Sequence, residues 1–291
     1  MAKLRLIEDF LYYLKSSDKS KNTIRNYRSD LTIFAKWFYD TNNEQLVLHK
    51  ITPTDVRQYK QNLFDKSYKP QTINRRLLSL KSFLEWGWDT KNIGYRFPVP
   101  KLIKATVLAP KWLNKLEQNT LLRHMERYAP QRNTAIIKIM LNTGLRINEL
   151  CQLKWSDIVV TERKGNLIVQ NGKGGKYREI PLNKDARNAF FSINYKKYAG
   201  SNTQVFIGQR GAIRERAIQL MLQKQLKNTN IAGTTPHQLR HSFCKNLVNA
   251  GVSLEKVALL AGHESLDTTK IYCKPSLSDL DIAVAMIGEE E

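Results

Sequence analysis

Apolar residues recur at helical spacing along the opening stretch of the chain. Leu4, Ile7, Phe10, Leu11 and Leu14 form one stripe. Ile24, Tyr27, Leu31, Phe34, Ala35 and Phe38 form a second, with Asn22 or Thr23 as its expected cap. Thr52-Pro53-Thr54-Asp55 has the signature of a helix start: a hydroxyl cap, proline at the first helical position and an acid three residues after the cap. Val56, Tyr59, Leu63 and Phe64 follow it. Pro70 opens a fourth segment, whose buried side holds Ile73, Leu77, Leu80, Phe83 and Leu84. The pattern predicts a compact four-helix unit over residues 1–95.

The periodicity then stops. Pro98, Pro100 and Pro110, with Gly94, Lys101 and Lys104 among them, predict an extended basic linker over 96–110. From 111 to 291 the chain reads as mainly α with a small β insert. Helices are expected over Leu113–Met125, around Ala135–Leu141 ending at Gly144, over Ala186–Tyr198, over Ile213–Leu226, and from Pro236 to about Asn249. Leu167–Val169 and Tyr177–Leu182 alternate like strands. The glycine-rich run Asn171-Gly172-Lys173-Gly174-Gly175 between them reads as a hairpin turn. A short helix follows at Leu254–Leu260, and a last apolar stripe runs from Leu280 to Ile287.

Charge narrows the choice of partner. Lys and Arg number 47 against 26 acids, a formal net charge of +21. The excess is shared, 18 basic to 10 acidic residues over 1–100 and 29 to 16 beyond. A polyanion such as nucleic acid is the natural counterpart. No apolar run reaches the ~18 residues of a membrane span, and the amino end has no secretion core. Three cysteines, Cys151, Cys244 and Cys273, cannot all pair, so a reducing cytoplasm is expected.

Several polar residues stand beside helix ends and turns. Arg146 follows the helix stop at Gly144, and Glu149 lies three residues on. Lys173 sits in the glycine-rich turn. His237, Arg240 and His241 share one helix, His263 follows Gly262, and Tyr272 lies on or beside the next helix. Each alone has an ordinary reading as surface charge or packing. Metal ligation by His237 and His241 is permitted by spacing, but Gln238 stands where the HExxH motif needs its acid, and no cysteine pair is near. No metal or cofactor is therefore expected. Against a phosphodiester the set gains sense. Two guanidiniums can hold the non-bridging oxygens, whose charge grows towards the transition state. A phenol can attack and form a phosphotyrosine ester, a lysine can protonate the leaving oxygen, and histidines can help move protons.

Five ordered segments carry a family resemblance: Thr143-Gly144-Leu145-Arg146-Ile147-Asn148-Glu149-Leu150, Gly172-Lys173-Gly174-Gly175-Lys176, His237-Gln238-Leu239-Arg240-His241-Ser242-Phe243, Leu260-Ala261-Gly262-His263 and Thr268-Thr269-Lys270-Ile271-Tyr272. In order and spacing the chain resembles the tyrosine recombinases, the phage-integrase and Xer-like enzymes. The resemblance implies a helical SAM-like core-binding domain followed by a catalytic domain. It implies Arg146, Lys173, His237, Arg240 and His263 around the phosphate, with Lys173 as general acid and Tyr272 as nucleophile. Glu149 matches a supporting acid, and His241 reads as packing and hydrogen-bonding support. It implies a 3′-phosphotyrosine intermediate and strand exchange through a Holliday junction, by a tetramer on double-stranded DNA with paired inverted sites. The Leu280–Ile287 stripe is the expected docking helix between protomers. Ala261 stands where glycine is frequent in the family, a mild departure.

DNA contacts are expected from Lys19, Lys21, Arg25 and Arg28 on or near the second helix. Lys69, Arg75, Arg76 and Lys81 serve on or near the fourth, and Arg214 extends the basic face. Gln71 and Asn74 are candidates for base edges. The sequence shows no arm-binding domain of the kind larger phage integrases carry. That favours integration, excision or resolution of a mobile element, with Xer-like dimer resolution as a close rival. The residues also leave open a non-catalytic DNA-binding protein of the same fold and a site-independent topoisomerase.

Overall fold

The structure is a computed structural model, and it describes residues 2–90, 101–104, 110–170, 177–273 and 284–285. The chain divides into two compact units, Met1–Val107 and Leu108–Glu291.

The first unit is helical: α1 (Ala2–Ser16), α2 (Lys21–Asn42), α3 (Pro53–Asp65) and α4 (Pro70–Asp89). Ser20, rather than Asn22 or Thr23, caps α2. Its backbone is extended, and its hydroxyl accepts from the Thr23 N–H at 3.1 Å. Asn43 ends the helix in the left-handed region, φ +53°, and donates its N–H to the Tyr39 carbonyl. Thr52 and Asp55 form the reciprocal capping box of α3. Apolar residues of all four helices close on an aromatic core, while Phe64, expected on the α3 stripe, is exposed. Phe10 meets the edge of Phe83 at 5.4 Å and Phe34 the edge of Tyr59 at 4.9 Å, and all four rings are buried. Each such ring contributes about 2–3 kcal/mol by leaving water. Residues 101–104 belong to this unit. The Asn74 amide donates to the Ile103 carbonyl and accepts from the Ile103 N–H, each at 2.9 Å, and Ile103 packs on the core.

The second unit opens with α5 (Lys115–Tyr128), α6 (Gln131–Thr143) and α7 (Ile147–Gln152). A three-stranded antiparallel sheet follows, β1 (Ile158–Val160), β2 (Gly165–Val169) and β3 (Arg178–Pro181), with Leu167 opposite both Ile158 and Ile180. Next come α8 (Lys184–Ser192), α9 (Tyr195–Tyr198), the small hairpin β4 (Ile207–Gly208) and β5 (Gly211–Ala212), and α10 (Glu215–Leu226). The unit closes with α11 (Pro236–Asn249), α12 (Leu254–Ala261), α13 (Leu266–Lys270) and a 3-10 turn, Ile271–Cys273. Helix α6 is its axis. Ile136, Ile137, Ile139 and Met140 are wholly buried, and α8 and α11 pack against it.

Some boundaries differ from expectation. The helix expected over 186–198 is broken into α8 and α9 at Asn194, which sits at φ +67°. Strand β1 and the β4–β5 hairpin are too short to show an alternation. The expected glycine-rich turn lies outside the described residues. So does the Leu280–Ile287 stripe, apart from Val284 and Ala285, which are helical.

Candidate functional site

Four helix ends and one strand meet in the second unit. Helix α6 stops at Gly144, whose φ of +61° suits glycine and whose position presses on Phe243. A Cβ there would clash with that ring. The stop turns the chain so that Arg146 becomes the N-cap of α7. Glu149, one turn into α7, is buried. It accepts the Arg146 backbone N–H at 2.7 Å and the Arg146 Nη1 at 2.9 Å. The second Arg146 nitrogen, Nη2, donates to the Gly262 carbonyl.

Pro236 starts α11 behind the Thr235–Gln238 capping box. Helical spacing then sets His237 at the exposed end and Arg240 inside. Arg240 donates from Nη1 to the Gly144 carbonyl and from Nη2 to the Ala261 carbonyl. Burial first, and the neighbouring Arg146 second, lower its pKa to about 10. It still carries its charge at neutral pH.

Three consecutive carbonyls at the end of α12 therefore each receive a guanidinium: Leu260 from Arg178 Nε at 3.0 Å, Ala261 from Arg240 and Gly262 from Arg146. The last turn of a helix bears partial negative charge and leaves carbonyls unpaired, so it suits cations. Such cations stand ready for a stronger anion.

The sequence expectation brought together Arg146, Glu149, Arg240, His241, His263 and Tyr272, and they do lie around this helix end. His263 follows Gly262, and its Nδ1 lies 2.8 Å from the buried Thr269 hydroxyl. Its ring stacks on Tyr272 at 6.1 Å between centroids. Tyr272 itself is 1% exposed. Its hydroxyl lies 2.6 Å from His241 Nδ1, beside the Cys244 thiol. Burial above all, and that thiol, push the phenol's pKa well above the ordinary tyrosine value. Burial also lowers both His241 and His263 to about 4, assisted for His241 by His237 and for His263 by Arg240. Both imidazoles are thus neutral near pH 7, and in the tautomer with a bare Nδ1 His241 accepts a hydrogen bond from the Tyr272 hydroxyl. His237 is exposed at the start of α11, 6.4 Å from His241 between ring centroids. Lys173 lies outside the described residues.

Sequence reasoning missed three participants. Lys245 is buried and donates to the Tyr272 carbonyl at 3.3 Å. Thr269 orients His263. Arg178 is buried and donates to both Glu149 oxygens, Nη1 to Oε1 at 2.9 Å and Nη2 to Oε2 at 2.7 Å. Its signal was present in the strand alternation, which sets Arg178 on the face of Ile180.

The expected DNA contacts divide. Lys19, Lys21, Arg25, Lys69, Gln71 and Arg214 are exposed. Arg28 is exposed and paired with Glu8, and half-buried Lys81 lies 3.6 Å from Glu85. Arg75 bonds Asp30. Arg76 faces inward instead: it is 8% exposed and its guanidinium lies over the Tyr68 ring at 4.1 Å. The Asn74 amide is taken up by Ile103 and is not free for a base edge in this arrangement.

No helix among the described residues is long and apolar enough to cross a membrane. Comparison with known proteins agrees with the geometry. The profile described as phage integrase family matches residues 111–278, and that of the phage integrase N-terminal SAM-like domain matches residues 7–90. The chain is 29% identical to the TnP I resolvase of Bacillus thuringiensis over 278 residues, covering 92% of this chain and 95% of that one. It is 31% identical to tyrosine recombinase XerA of Pyrococcus horikoshii over 286 residues, covering 96% and 92%. The crystal structure of XerH site-specific recombinase, bound to palindromic difH substrate in a post-cleavage complex, shares the fold. Its TM-score is 0.74 at 22% identity, over 91% of this chain and 80% of that one. The chain belongs to the phage integrase family: it is a tyrosine recombinase, an enzyme of site-specific recombination that cleaves and rejoins DNA.

Proposed function

We propose that this recombinase resolves, or integrates and excises, a mobile element, with Tyr272 as nucleophile. The observation that carries the chemistry is the convergence of Arg146, Arg240 and the Tyr272 phenol on one helix end. A scissile phosphate would take over the two guanidiniums from the α12 carbonyls, since an anion is the stronger acceptor. Both cations then face the charge that builds on the non-bridging oxygens. Tyr272 Oη attacks phosphorus as its proton passes to His241, whose basicity rises once the phosphate's negative charge stands beside it, and the 5′ oxygen leaves with a proton from Lys173. The resulting 3′-phosphotyrosine ester keeps the energy of the broken bond, so a partner strand's 5′ hydroxyl can reseal it through a Holliday junction. In the DNA-free chain the phenol is covered, so the Ile271–Cys273 turn must move for attack. The double-stranded partner carries paired inverted sites, and a tetramer exchanges the strands. Likeness to the TnP I resolvase supports the mobile-element reading. Likeness to XerA over 96% of the chain supports the second reading, chromosome or plasmid dimer resolution.

The test uses duplexes chosen by footprinting DNA that flanks the gene, nicked close to the cleavage point so that religation fails. The wild-type chain should become covalently attached through Tyr272, and Tyr272→Phe should not. Undiminished attachment by Tyr272→Phe removes the assignment; binding without attachment by the wild type favours a non-catalytic protein of the same fold. Inverted repeats beside a transposase gene would separate the mobile-element role from dimer resolution.

A further inference from the structure

We infer that Arg178 is a positioning residue: its two-pronged grip on Glu149 keeps that carboxylate from chelating Arg146 and leaves the Arg146 guanidinium free to turn to a phosphate. The inference rests on the proposed role of Arg146. It begins with a count of acceptor positions on one buried acid. Glu149 Oε1 takes Nη1 of Arg146 and Nη1 of Arg178; Oε2 takes Nη2 of Arg178 and the backbone N–H of Arg146. The forked, parallel geometry that guanidinium and carboxylate prefer is thus used by Arg178. Arg146 is left with a single-pronged bond and a second nitrogen directed at the Gly262 carbonyl.

Suppose the Arg178 side chain were neutral and short. Glu149 would be a buried carboxylate with one guanidinium in reach, and the forked pair with Arg146 would become its best arrangement. Arg146 would lose its second prong to the acid, and its charge would be cancelled where the phosphate needs it. With Arg178 in place, two cations share one anion, so a positive charge remains beside the third guanidinium, Arg240. Depression of the Glu149 pKa by Arg178 and Arg146, against the upward push of burial, agrees with a carboxylate held ionised by both.

The position of Arg178 is fixed from other sides. Its Nε holds the Leu260 carbonyl at 3.0 Å. It also fills the space beside Gly262, where a Cβ would lie 2.8 Å from Nη1 and where φ is +66°. It bonds neither His263 nor Tyr272 among the described residues, and it is not proposed to touch substrate. Its effect passes through Glu149.

A purely structural arginine and a positioning arginine differ in how a second substitution acts. In Arg178→Gln, attachment to the nicked duplex should slow by about 30-fold or more while duplex binding changes by less than about threefold. Adding Glu149→Gln removes the acid that captures Arg146, so the double variant should react at least about fivefold faster than Arg178→Gln alone. Glu149→Gln by itself should slow the reaction, because it frees two cations from their anchor. Arg178→Lys keeps the charge but cannot fork, and should fall between wild type and Arg178→Gln. Normal rates in Arg178→Gln, or a double variant no faster than that single variant, would overturn the inference. A crystal structure of Arg178→Gln decides the same point without any reaction: Arg146 should swing to hold both Glu149 oxygens, and an unmoved Arg146 refutes the claim. If the wild-type chain binds DNA but forms no adduct, strand exchange is the reading that fails, and the crystal structure still decides the role of Arg178.

Discussion

Among the described residues two carboxylates are each buried between two arginines, and they are built differently. Asp30, on α2, is 2% exposed and meets Arg75 and Arg76 of α4 together with the Ser79 hydroxyl at 2.9 Å. Its pairing is loose. Arg76 Nε stands 3.9 Å away, Arg76 Nε and Nη1 have no hydrogen-bond partner among the described residues, and the Arg75 side chain is 46% exposed. Glu149 has four donors between 2.7 and 2.9 Å, and its two arginines run on to backbone carbonyls. The first cluster ties one helix to another, and only its Arg75 side reaches water. The second holds cations in fixed directions around a helix end, which a phosphate site requires.

The sharpest way to break the comparison is through the reaction. Tyr272→Phe should lower covalent attachment by about 10⁴-fold or more, to background. Arg240→Ala should cost about 10²–10³-fold with DNA binding largely kept, because it removes one preorganised donor. Neutralising Asp30 should leave the chemistry untouched. A rate loss in Asp30→Asn comparable with that of Arg240→Ala would erase the distinction between the two clusters.

Stability separates them next. Glu149→Ala leaves Arg178 without its acid in a buried setting, a loss of about 3–5 kcal/mol. Asp30→Ala should lose less, about 1–3 kcal/mol: exposed Arg75 can turn to water, and buried Arg76, already 3.9 Å from Asp30, keeps its place over the Tyr68 ring. Urea unfolding of the intact chain, followed by hydrogen exchange on peptides from each unit, measures both. Equal losses would mean that Asp30 is as tightly held as Glu149.

The same contrast explains what the sequence could reveal. Helix periodicity and caps were legible because they are local: the Thr52–Asp55 box and the Pro236 start are read directly from spacing. Arg146, Arg240 and Tyr272 were legible as a set because their motifs recur in order along the chain. For Arg178 only the inward face was legible, from strand alternation; its importance depends on an acid 29 residues earlier and on a carbonyl 82 residues later. His241 was read as packing and hydrogen-bonding support; what spacing could not name was its partner, the Tyr272 hydroxyl 31 residues on, at 2.6 Å from Nδ1. Charge also misled about direction. Arg75 and Arg76 look alike in sequence, but one helical step of roughly 100° turns Arg76 inward to Tyr68 while Arg75 keeps an exposed side.

The smallest expected effect is a difference in acid sensitivity. His241 and His263 are each lowered to about 4, first by burial. A histidine whose folded pKa lies below its unfolded value binds fewer protons when folded. Its stabilising contribution is complete above the unfolded value of 6.5 and is lost as pH falls towards 4. The second unit should therefore open progressively across that window, around α11 and the Ile271–Cys273 turn. In the first unit the one histidine, His49, is exposed. Hydrogen exchange at pH 6.5, 5.5 and 4.5 should show α11 peptides losing protection faster than α2 peptides. His241→Gln and His263→Gln should each flatten that difference by removing a buried titrating group. A parallel loss in both units would point to general acid unfolding and deny the two imidazoles a special part in holding the Tyr272 pocket closed.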